Sequence, residues 1–421
     1  LGVGGVSGRI QNEYGAFLLE NINIENIILG KLNQGVESSC VGGFLGYPYQ
    51  SITVTIKDSQ LKDVRIESSH IYNGLFYGLY SNTEQYGKVI LENVNYSGDC
   101  TTQSGEYDYL RKAVGLQKGE TVKYYSPIKT AIAAYENAEN GDYTIIIKDG
   151  TYKEDSIMIR QQVDKSLTIK AENNLKAIFV NENTADSTGI FHISGGSNYD
   201  TGAVTFEGIR FELPAGDEVN CFGIKLLSGT EDRYASNVTV RNCEFIGNVE
   251  KSCAVWSGAG SQPKNILIEG CKGDGLTALY NGYGSGITIK DSELTNARGL
   301  LNSQSTDSTN ELVIDNVEAT IDYQPSKDMD AIKINGGNLT IKNSNITMNY
   351  NGATRSSGLL VIRGGGSTIT IEDSTLTTSK VGGDYDVYTF YGMNTANRSN
   401  TVFEGDIEDF TYGGTFEQEE L

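Results

Sequence analysis

Histidine and paired cysteines are scarce in this sequence of 421 residues. It contains only His70 and His192, and none of its six cysteines belongs to a CxxC pair. Because structural zinc sites use Cys and His ligands at short spacings, a zinc centre is not expected. Both histidines are interpreted as structural or surface residues. The cysteines are expected to be core thiols, with Cys243 and Cys271 stacked in successive repeats, although a disulfide stays open as an alternative.

Long apolar runs are also absent. No stretch approaches the roughly 20 apolar residues that a membrane-spanning helix needs, so membrane insertion is not expected. The formal net charge is −21, which disfavours nucleic acid and anionic membranes as partners. Neutral ligands, basic surfaces or bridging divalent cations fit this charge better. The chain begins at Leu1 without a signal peptide, and we interpret it as a processed or truncated piece.

Proline and methionine are rare, with 5 and 4 residues, whereas glycine is abundant with 50. This composition favours many short strands joined by tight turns. One helix is predicted, with Ser126 as N-cap, Pro127 at the first helical position and Gly141 as its end. A strand is expected from Tyr143. The apolar residues at helical spacing are Ile128, Ala131, Ile132 and Tyr135.

A glycine-rich phrase recurs in residues 1–110. It begins at Val3, Val41 and Gly74, with polar–apolar alternation between the copies. Spacings of 38 residues between the first two copies and 31 from Gly43 to Gly74 predict a solenoid whose coils approach closely at glycine. The phrase resembles the GLUG repeats of bacterial surface proteins.

A different sequence phrase recurs further along the chain. It consists of alternating apolar and polar residues, predicted to form a short strand with an outward charge, and is followed by Asp, Asn or Gly. Such residues tolerate left-handed backbone, so they are expected to form a stacked corner. A second strand is expected after each corner, as at 189–193, 223–227, 330–334 and 358–362. The copies begin at Val204, Val238, Ile266, Ile287, Leu312, Leu339 and Ile369. The corner residues are Gly208, Asn242, Asp291, Asn316, Asn343 and Asp373.

The start of this array carries a recognisable order of elements. The predicted helix, then GDYTIIIKDGTYKE at 141–154 and SLTIKAE at 166–172, is similar to the start of the pectin lyase-like right-handed parallel β-helix superfamily. The resemblance covers residues 125–421. It implies a right-handed parallel β-helix with an N-terminal capping helix. With the Gly-rich repeat β-solenoid at 1–110 and a polar linker at 111–124, the whole chain is predicted to be all-β. That superfamily includes lyases, hydrolases, epimerases, tailspikes and adhesins, so the resemblance does not select a function.

Catalytic phrases of the polygalacturonase type, with Asn-Thr-Asp, Asp-Asp and Gly-His-Gly, are missing. A lyase needs a cation or basic group to neutralise a uronate and an Arg or Lys to remove the adjacent proton. The candidates are Asp328 and Asp330 as cation ligands, with Lys333 and Arg363 as catalytic groups. Alignment of two Gly-Gly turns places Asn335 beside Arg363. The alternative is a loop of solvated charges with an ordinary exposed lysine.

Aromatic residues provide a second set of candidates. Asp384 and Asp386 are interleaved with tyrosines and are further candidate metal ligands, for which calcium is the cofactor to consider. The earlier phrase Asp330-Ala331-Ile332 is loosely similar to the Asp-Gly-Ile repeats of calcium-dependent sugar-binding β-helices, from which it departs at Ala331. Aromatic rings can pack on the apolar face of a sugar, but stacking between coils or simple exposure is the alternative. The candidate ligand-binding residues are Tyr280, Tyr283, Tyr385 and Tyr388, and Trp256 is the only tryptophan.

These observations favour a non-catalytic, adhesin-like bacterial protein, extracellular or on the cell surface. We expect a monomer that binds polysaccharide or host glycans and does not bind nucleic acid. A calcium-assisted polysaccharide lyase acting on acidic polysaccharide is the first alternative, and a structural stalk is the second.

Overall fold

The structure is a computed structural model that divides the chain into two units. The first unit comprises residues 1–150 and 169–177, and the second unit comprises residues 151–168 and 178–421. Three strands, Gly150–Tyr152, Lys165–Ala171 and Ala177–Val180, contain residues of both units. The described residues are 3–10, 15–29, 40–48, 52–67, 74–78, 88–102, 113–154, 156–181, 188–195, 201–213, 220–227, 234–247, 251–259, 262–322, 330–352, 357–363, 367–383, 387–392, 396–405 and 416–418.

The first unit consists mainly of short parallel strands, which alternate between buried apolar and exposed polar side chains. In Ile52–Lys57, for example, every second residue is buried, as expected for a strand with one face on a core. The other strands are Val3–Gly4, Ser7–Ile10, Gly15–Glu20, Asn23–Leu29, Val41–Gly42, Leu45–Pro48, Gln60–Ile66, Lys88–Ser97, Thr101–Thr102, Val114–Lys118, Thr121–Ser126 and Gly141–Ile147.

The glycine-rich phrases stack on one another in this unit. Val3 pairs with Val41, which confirms the spacing of 38 residues, but Gly74 pairs with Gly42 rather than with Gly43. A Cβ atom on Gly42 would lie 2.2 Å from the carbonyl oxygen of Leu45 in its own coil and 2.4 Å from the Cα atom of Tyr77 in the next coil. Glycine is therefore required because neighbouring coils leave no room for a side chain.

The helix, Ile128–Glu136, buries the four apolar residues predicted for it. Its N-cap is Pro127 and not Ser126, which ends the preceding strand. It ends at Glu136 rather than near Gly141, because Asn137 forms the C-cap and donates from Nδ2 to the carbonyl of Ala133 at 2.8 Å. Gly141 instead begins the next strand.

The helix packs against strands of the first unit. Val114–Lys118 and Thr121–Ser126 form an antiparallel hairpin within the predicted linker at 111–124. The second strand of the hairpin pairs with Lys88–Ser97, and the helix contacts all three strands. The helix that was predicted to begin the β-helix is thus grouped with the Gly-rich repeats.

The second unit contains three parallel sheets, and successive coils add one strand to each. The first sheet contains Val204–Glu207, Ser236–Arg241, Lys264–Glu269, Ser285–Lys290, Glu311–Asp315, Asn338–Lys342, Ile369–Glu372, Ala396–Ser399 and Phe416–Gln418. The second contains Arg210–Glu212, Glu244–Ile246, Lys272–Asp274, Glu293–Thr295, Glu318–Ile321, Asn345–Gly352, Thr375–Gly383 and Val402–Gly405. The third contains Ile157–Arg160, Thr188–Ser194, Cys221–Leu226, Ser252–Ser257, Ala278–Gly282, Leu301–Ser303, Ile332–Ile334, Ser357–Ile362 and Val387–Gly392.

This arrangement confirms the predicted parallel β-helix. The sequence predicted two strands in each coil, separated by a corner, but the structure has three. The additional strand is short, belongs to the second sheet and lies between the corner and the strand of the third sheet. Parallel strands joined by crossovers in this way wind right-handed.

The register of the first sheet is the predicted one throughout. The paired starting residues are Val204, Val238, Ile266, Ile287, Leu312, Leu339 and Ile369, each aligned with the next. The predicted corner residues all have left-handed backbone, with φ between 45° and 66°. The amide of Asn316 donates to Asp291 at 2.6 Å, so the side chains of the corner also join successive coils.

The interior of the coils is apolar and closely stacked. The rings of Phe211 and Phe245, on successive strands, lie 4.7 Å apart and nearly parallel. All six cysteines are thiols. Cys243 and Cys271 occupy the same position on successive coils and are buried, as predicted.

Candidate functional site

One side chain from each of eight successive strands of the third sheet forms a continuous row, which faces outward except at its last member, Val361, which is buried. Neighbouring strands in a sheet are about 4.8 Å apart, so these side chains form a closely spaced line. The row forms because its flanking residues, such as Ile224 and Leu226 on either side of Lys225, are buried. We call it the outer row: Met158, His192, Lys225, Trp256, Asn281, Asn302, Lys333 and Val361.

Trp256 is held in place by its neighbours. The ring of Phe222 stacks on it at 4.6 Å with 3° between the ring planes. The amine of Lys225 lies 5.1 Å from the ring centre, where the negative face of the indole attracts a cation. A Cβ atom on Gly258 would lie 2.7 Å from the indole. The indole is therefore fixed by stacking, by charge and by the absence of a side chain beside it.

A cavity of about 160 Å³ lies beside Trp256. Its apolar part belongs to a cluster separate from the main core, formed by Phe222, Cys253 and Ala278 with Trp256 packed against them. Burial raises the pKa of the Cys253 thiol, so this group is not a reactive thiolate at neutral pH. The residues lining the cavity are Asn220, Phe222, Lys251, Cys253, Trp256, Thr277 and Asn281.

Two amides continue the outer row from the cavity. Asn302 donates from Nδ2 to Oδ1 of Asn281 at 2.9 Å, which fixes the orientation of the Asn281 amide and directs its own Nδ2 away from Asn302. Oδ1 of Asn302 is buried and has no hydrogen-bond partner in the part of the chain that the structure describes. The pair therefore presents an oriented donor toward Trp256.

His192 is part of the outer row and is bonded to the backbone of its own strand. The backbone N–H of Gly189 donates to its Nε2 at 3.1 Å, so this nitrogen is unprotonated. The contact lies within its own strand, Thr188–Ser194. His192 is therefore held by local backbone, in line with a structural histidine.

The predicted catalytic pair is placed on the third sheet. Lys333 belongs to the outer row and follows Asn302. Ile334 pairs with Ile362, which confirms that Asn335 and Arg363 are neighbours, and Arg363 is exposed. Lys333 thus lies on the strand Ile332–Ile334, and Arg363 directly follows the neighbouring strand Ser357–Ile362.

The predicted cation ligands are only partly described. The side chain of Asp330 is 3% exposed and its Oδ1 accepts a hydrogen bond from the N–H of Gly358 at 3.4 Å. Asp328, Asp384 and Asp386 lie outside the described residues. Among the residues that are described, no three His, Cys, Asp or Glu side chains are grouped so that they could hold a metal ion.

The predicted tyrosines occupy different environments. Tyr280 is fully buried, and its hydroxyl contacts Ser257 Oγ at 3.1 Å and donates to the carbonyl of Tyr283. Burial raises the pKa of this phenol. Tyr280 therefore presents no ring face to a sugar, whereas Tyr283 and Tyr388 are half-buried. Tyr385 and His70 lie outside the described residues.

Several residues of this site were not predicted. Phe222, Lys251 and Asn281 follow loops of unequal length and share no repeated phrase, so the sequence alone did not bring them together. Trp256 was noted only as the single tryptophan. Alignment of the buried positions Ile224, Val255 and Tyr280 would have provided the missing signal, since these residues are paired in the sheet.

Comparison of the sequence with protein-family models and with curated proteins gave no match. Among solved structures, the chain is similar to a catalytic domain of a GH87 α-1,3-glucanase in complex with nigerose, with 14% identity, 70% of this chain and 66% of that chain covered, and a TM-score of 0.35. A PL6 family alginate lyase, AlyGC, has 12% identity, 94% and 70% coverage, and a TM-score of 0.39.

A third solved structure is the A-module of the Azotobacter vinelandii mannuronan C-5 epimerase AlgE6, with 11% identity, 69% of this chain and 94% of that chain covered, and a TM-score of 0.31. The chain spans just under two thirds, 66%, of the length of the glucanase domain. The fold of the present chain is established by its own strand pairing. In the described part of the chain, no helix combines the length and apolar character needed to cross a membrane.

Proposed function

We propose that this protein binds a carbohydrate chain along the outer row and does not cleave it. The observation that carries the proposal is the line formed by Lys225, Trp256, Asn281, Asn302 and Lys333 on successive strands. An indole packs well on the apolar face of a sugar ring. Amides and amines beside it supply hydrogen bonds to hydroxyl groups.

The dimensions of the outer row suit a chain rather than a single sugar. Four strand spacings separate Lys225 from Lys333, which corresponds to about 19 Å. The row is nearly straight because each strand adds one side chain in register. An extended oligosaccharide running across the strands would meet these residues one after another.

Absence of a carboxylate distinguishes the outer row from a hydrolytic site. Hydrolysis of a glycosidic bond uses a pair of carboxyl groups on either side of the bond. No member of the outer row, as far as the structure describes it, is Asp or Glu. An extracellular or cell-surface, adhesin-like role belongs to the same proposal.

A calcium-assisted lyase is the second candidate. It is favoured by Lys333, on the strand Ile332–Ile334, and by Arg363, which directly follows the neighbouring strand Ser357–Ile362. A lysine can remove the proton next to a uronate carboxylate, and an arginine can neutralise that carboxylate. Asp330 and the aspartates outside the described residues would supply the cation ligands.

One experiment separates these candidates. Purified protein is titrated with plant, bacterial and host polysaccharides, in calcium and in chelator. Fluorescence of Trp256, the only tryptophan, reports binding at the outer row, and released unsaturated ends report cleavage. We expect binding without product. Trp256→Ala lacks the fluorescent reporter, so its expected loss of binding is measured by retention of the protein on the immobilised polysaccharide.

The matched control for the basic residues is Lys272→Ala, on the outward side of the second sheet. Lys333→Ala should weaken binding, whereas Lys272→Ala should not. Calcium-dependent product that disappears in Lys333→Ala would establish the lyase instead. A protein that binds no glycan in the panel would favour the structural stalk.

A further inference from the structure

We propose that the cavity beside Trp256 binds the acetamido group of an N-acetylated amino sugar, a specificity that rests on the proposed carbohydrate-binding function. This assigns the cavity to one substituent of the sugar rather than to the sugar ring. The chemical class follows from the apolar part of the cavity, from the donors at its edge and from its volume.

The apolar part suits a methyl group. Phe222 is 4% exposed, Cys253 is 1% exposed and Ala278 is fully buried, and these side chains form a cluster with Trp256. Of this cluster, Phe222 and Cys253 line the cavity. A carboxylate against these two side chains would lose its hydration with no donor beside it, whereas at the Lys251 edge it would be paired. A methyl group against them gains free energy by leaving water. The apolar part of the cavity therefore favours the methyl of an acetamido group over the carboxylate of a uronic acid.

The edge of the cavity supplies hydrogen-bond donors. Oδ1 of Asn281 is engaged by Asn302, so the group that Asn281 presents to a ligand is its Nδ2 donor. Lys251 lines the same cavity and carries an ammonium donor. A carbonyl oxygen can accept from either group. The acetamido carbonyl is thus matched by donors, and its methyl by the apolar cluster.

The volume of the cavity suits a small substituent. It is open to solvent and measures about 160 Å³, and a cavity of about 150 Å³ holds one benzene-sized molecule. A group of four heavy atoms fits, together with the adjacent edge of its sugar ring. The rest of the sugar then lies on the half-buried indole and along the outer row.

The test compares matched sugars that differ only at one substituent. Methyl glycosides of N-acetylglucosamine and N-acetylgalactosamine are titrated beside those of glucose and galactose, with Trp256 fluorescence as the readout. The acetamido sugars should bind about tenfold more tightly, because they add one hydrogen bond and one buried methyl. Saturation-transfer NMR should show the strongest contact at the acetamido methyl.

Variants test the two halves of the cavity. Asn281→Asp replaces the donor with an acceptor and should abolish the preference, whereas the control Asn345→Asp, exposed on the second sheet, should retain it. Cys253→Leu fills the apolar part and should also abolish the preference while Trp256 stays in place. Thermal unfolding of each variant shows whether it is folded before it is compared.

The remaining outcomes overturn the inference in distinguishable ways. Equal responses to acetamido and hydroxyl sugars would remove the specificity but leave the proposed function standing. Tighter binding of methyl galacturonide would assign the cavity to an acidic sugar. No response to any sugar, together with no binding in the polysaccharide panel, would remove both proposals.

Discussion

Asn316 shows how single residues keep the coils of the second unit in register. Its φ of 52° lies in the left-handed region, which most side chains avoid and Asn tolerates. Its amide also donates to Asp291 on the preceding coil at 2.6 Å. One residue thus turns the chain between two sheets and bonds to its counterpart.

Replacement of Asn316 separates these two contributions. Asn316→Ala should destabilise the protein by about 1–2 kcal/mol, because it forces alanine into left-handed backbone and removes the hydrogen bond. Asn316→Gly should cost less, since glycine adopts this conformation readily. Urea unfolding of both variants provides the measurement. Equal losses would show that backbone strain contributes little at this corner.

Tyr280 illustrates a residue whose role is not readable from its neighbours in sequence. It lies near glycines in ALYNGYG, and the sequence made it a candidate for stacking on a sugar. In the structure it pairs with Val255 and Leu301 on the adjacent strands and points into the core. The phrase gives no indication of which side of the strand is buried.

Removal of the Tyr280 hydroxyl tests this structural role. Tyr280→Phe should reduce the free energy of unfolding by about 1–2 kcal/mol, because the buried carbonyl of Tyr283 loses one of its donors. The response of Trp256 to sugars should be unchanged. If Tyr280→Phe loses sugar binding while its stability is unchanged, Tyr280 would be assigned to the binding site instead.

At the scale of the strand, charge alternates along the outward side of the first sheet. The residues that close successive strands are Glu207, Arg241, Glu269, Lys290, Asp315, Lys342 and Glu372, and each is paired in register with the next. Opposite charges on adjacent strands stabilise a sheet, and like charges destabilise it. The alternation therefore disfavours a mispairing in which a strand is shifted by one coil, since like charges would then be adjacent.

Glu269 shows how this alternation affects pH dependence. It lies between two cations, with Lys290 at 2.6 Å and Arg241 at 3.0 Å. The hydrogen bond from Lys290, followed by that from Arg241, lowers the pKa of Glu269. A carboxyl group with a lowered pKa stabilises the folded state above its unfolded pKa, and this contribution is lost as the pH falls through the folded pKa.

The variant Glu269→Gln should therefore be less stable than the parent at neutral pH, by up to about 1 kcal/mol because the pairs are partly exposed. The difference should disappear as the pH falls below the usual range of glutamate, about 4.3. Urea unfolding across this range measures it. A difference that persists in acid would assign the effect to packing rather than to charge.

How much the sequence could predict differs between the sheets. In the first sheet, the corner always follows the strand start by four residues, as from Ile287 to Asp291, so the register was readable. In the third sheet, loops of unequal length precede each strand. Phe222, Trp256 and Asn281 were therefore not assembled into a site from the sequence, although the predicted alignment of Asn335 with Arg363 is found after paired strands.

For the molecule as a whole, the net charge of −21 contrasts with the outer row, where Lys225 and Lys333 are the charged members. Long-range repulsion of polyanions extends over the Debye length, which is about 30 Å at 0.01 M salt and about 10 Å at 0.1 M. Neutral sugars do not feel this field. The charge of the molecule therefore selects among ligands before contact.

Salt dependence tests this selection. Affinity for a neutral N-acetylated oligosaccharide should change by less than about twofold between 0.01 M and 0.1 M salt, whereas affinity for an acidic polysaccharide should increase as its repulsion is screened. Titration of Trp256 fluorescence at both salt concentrations is the measurement. A steep loss of neutral-sugar binding in salt would contradict this expectation.

The alternating charges of the first sheet also bear on how such a chain could have lengthened. Loss of residues 287–311 would join matching phrases, because Ile287 and Leu312 occupy the same position. It would, however, bring Glu269 beside Asp315. Loss of that coil together with the next would bring Glu269 beside Lys342 and restore the alternation. Duplication or deletion of coding sequence in this region is therefore best tolerated in steps of two coils, and we expect the array to lengthen or shorten by pairs of coils.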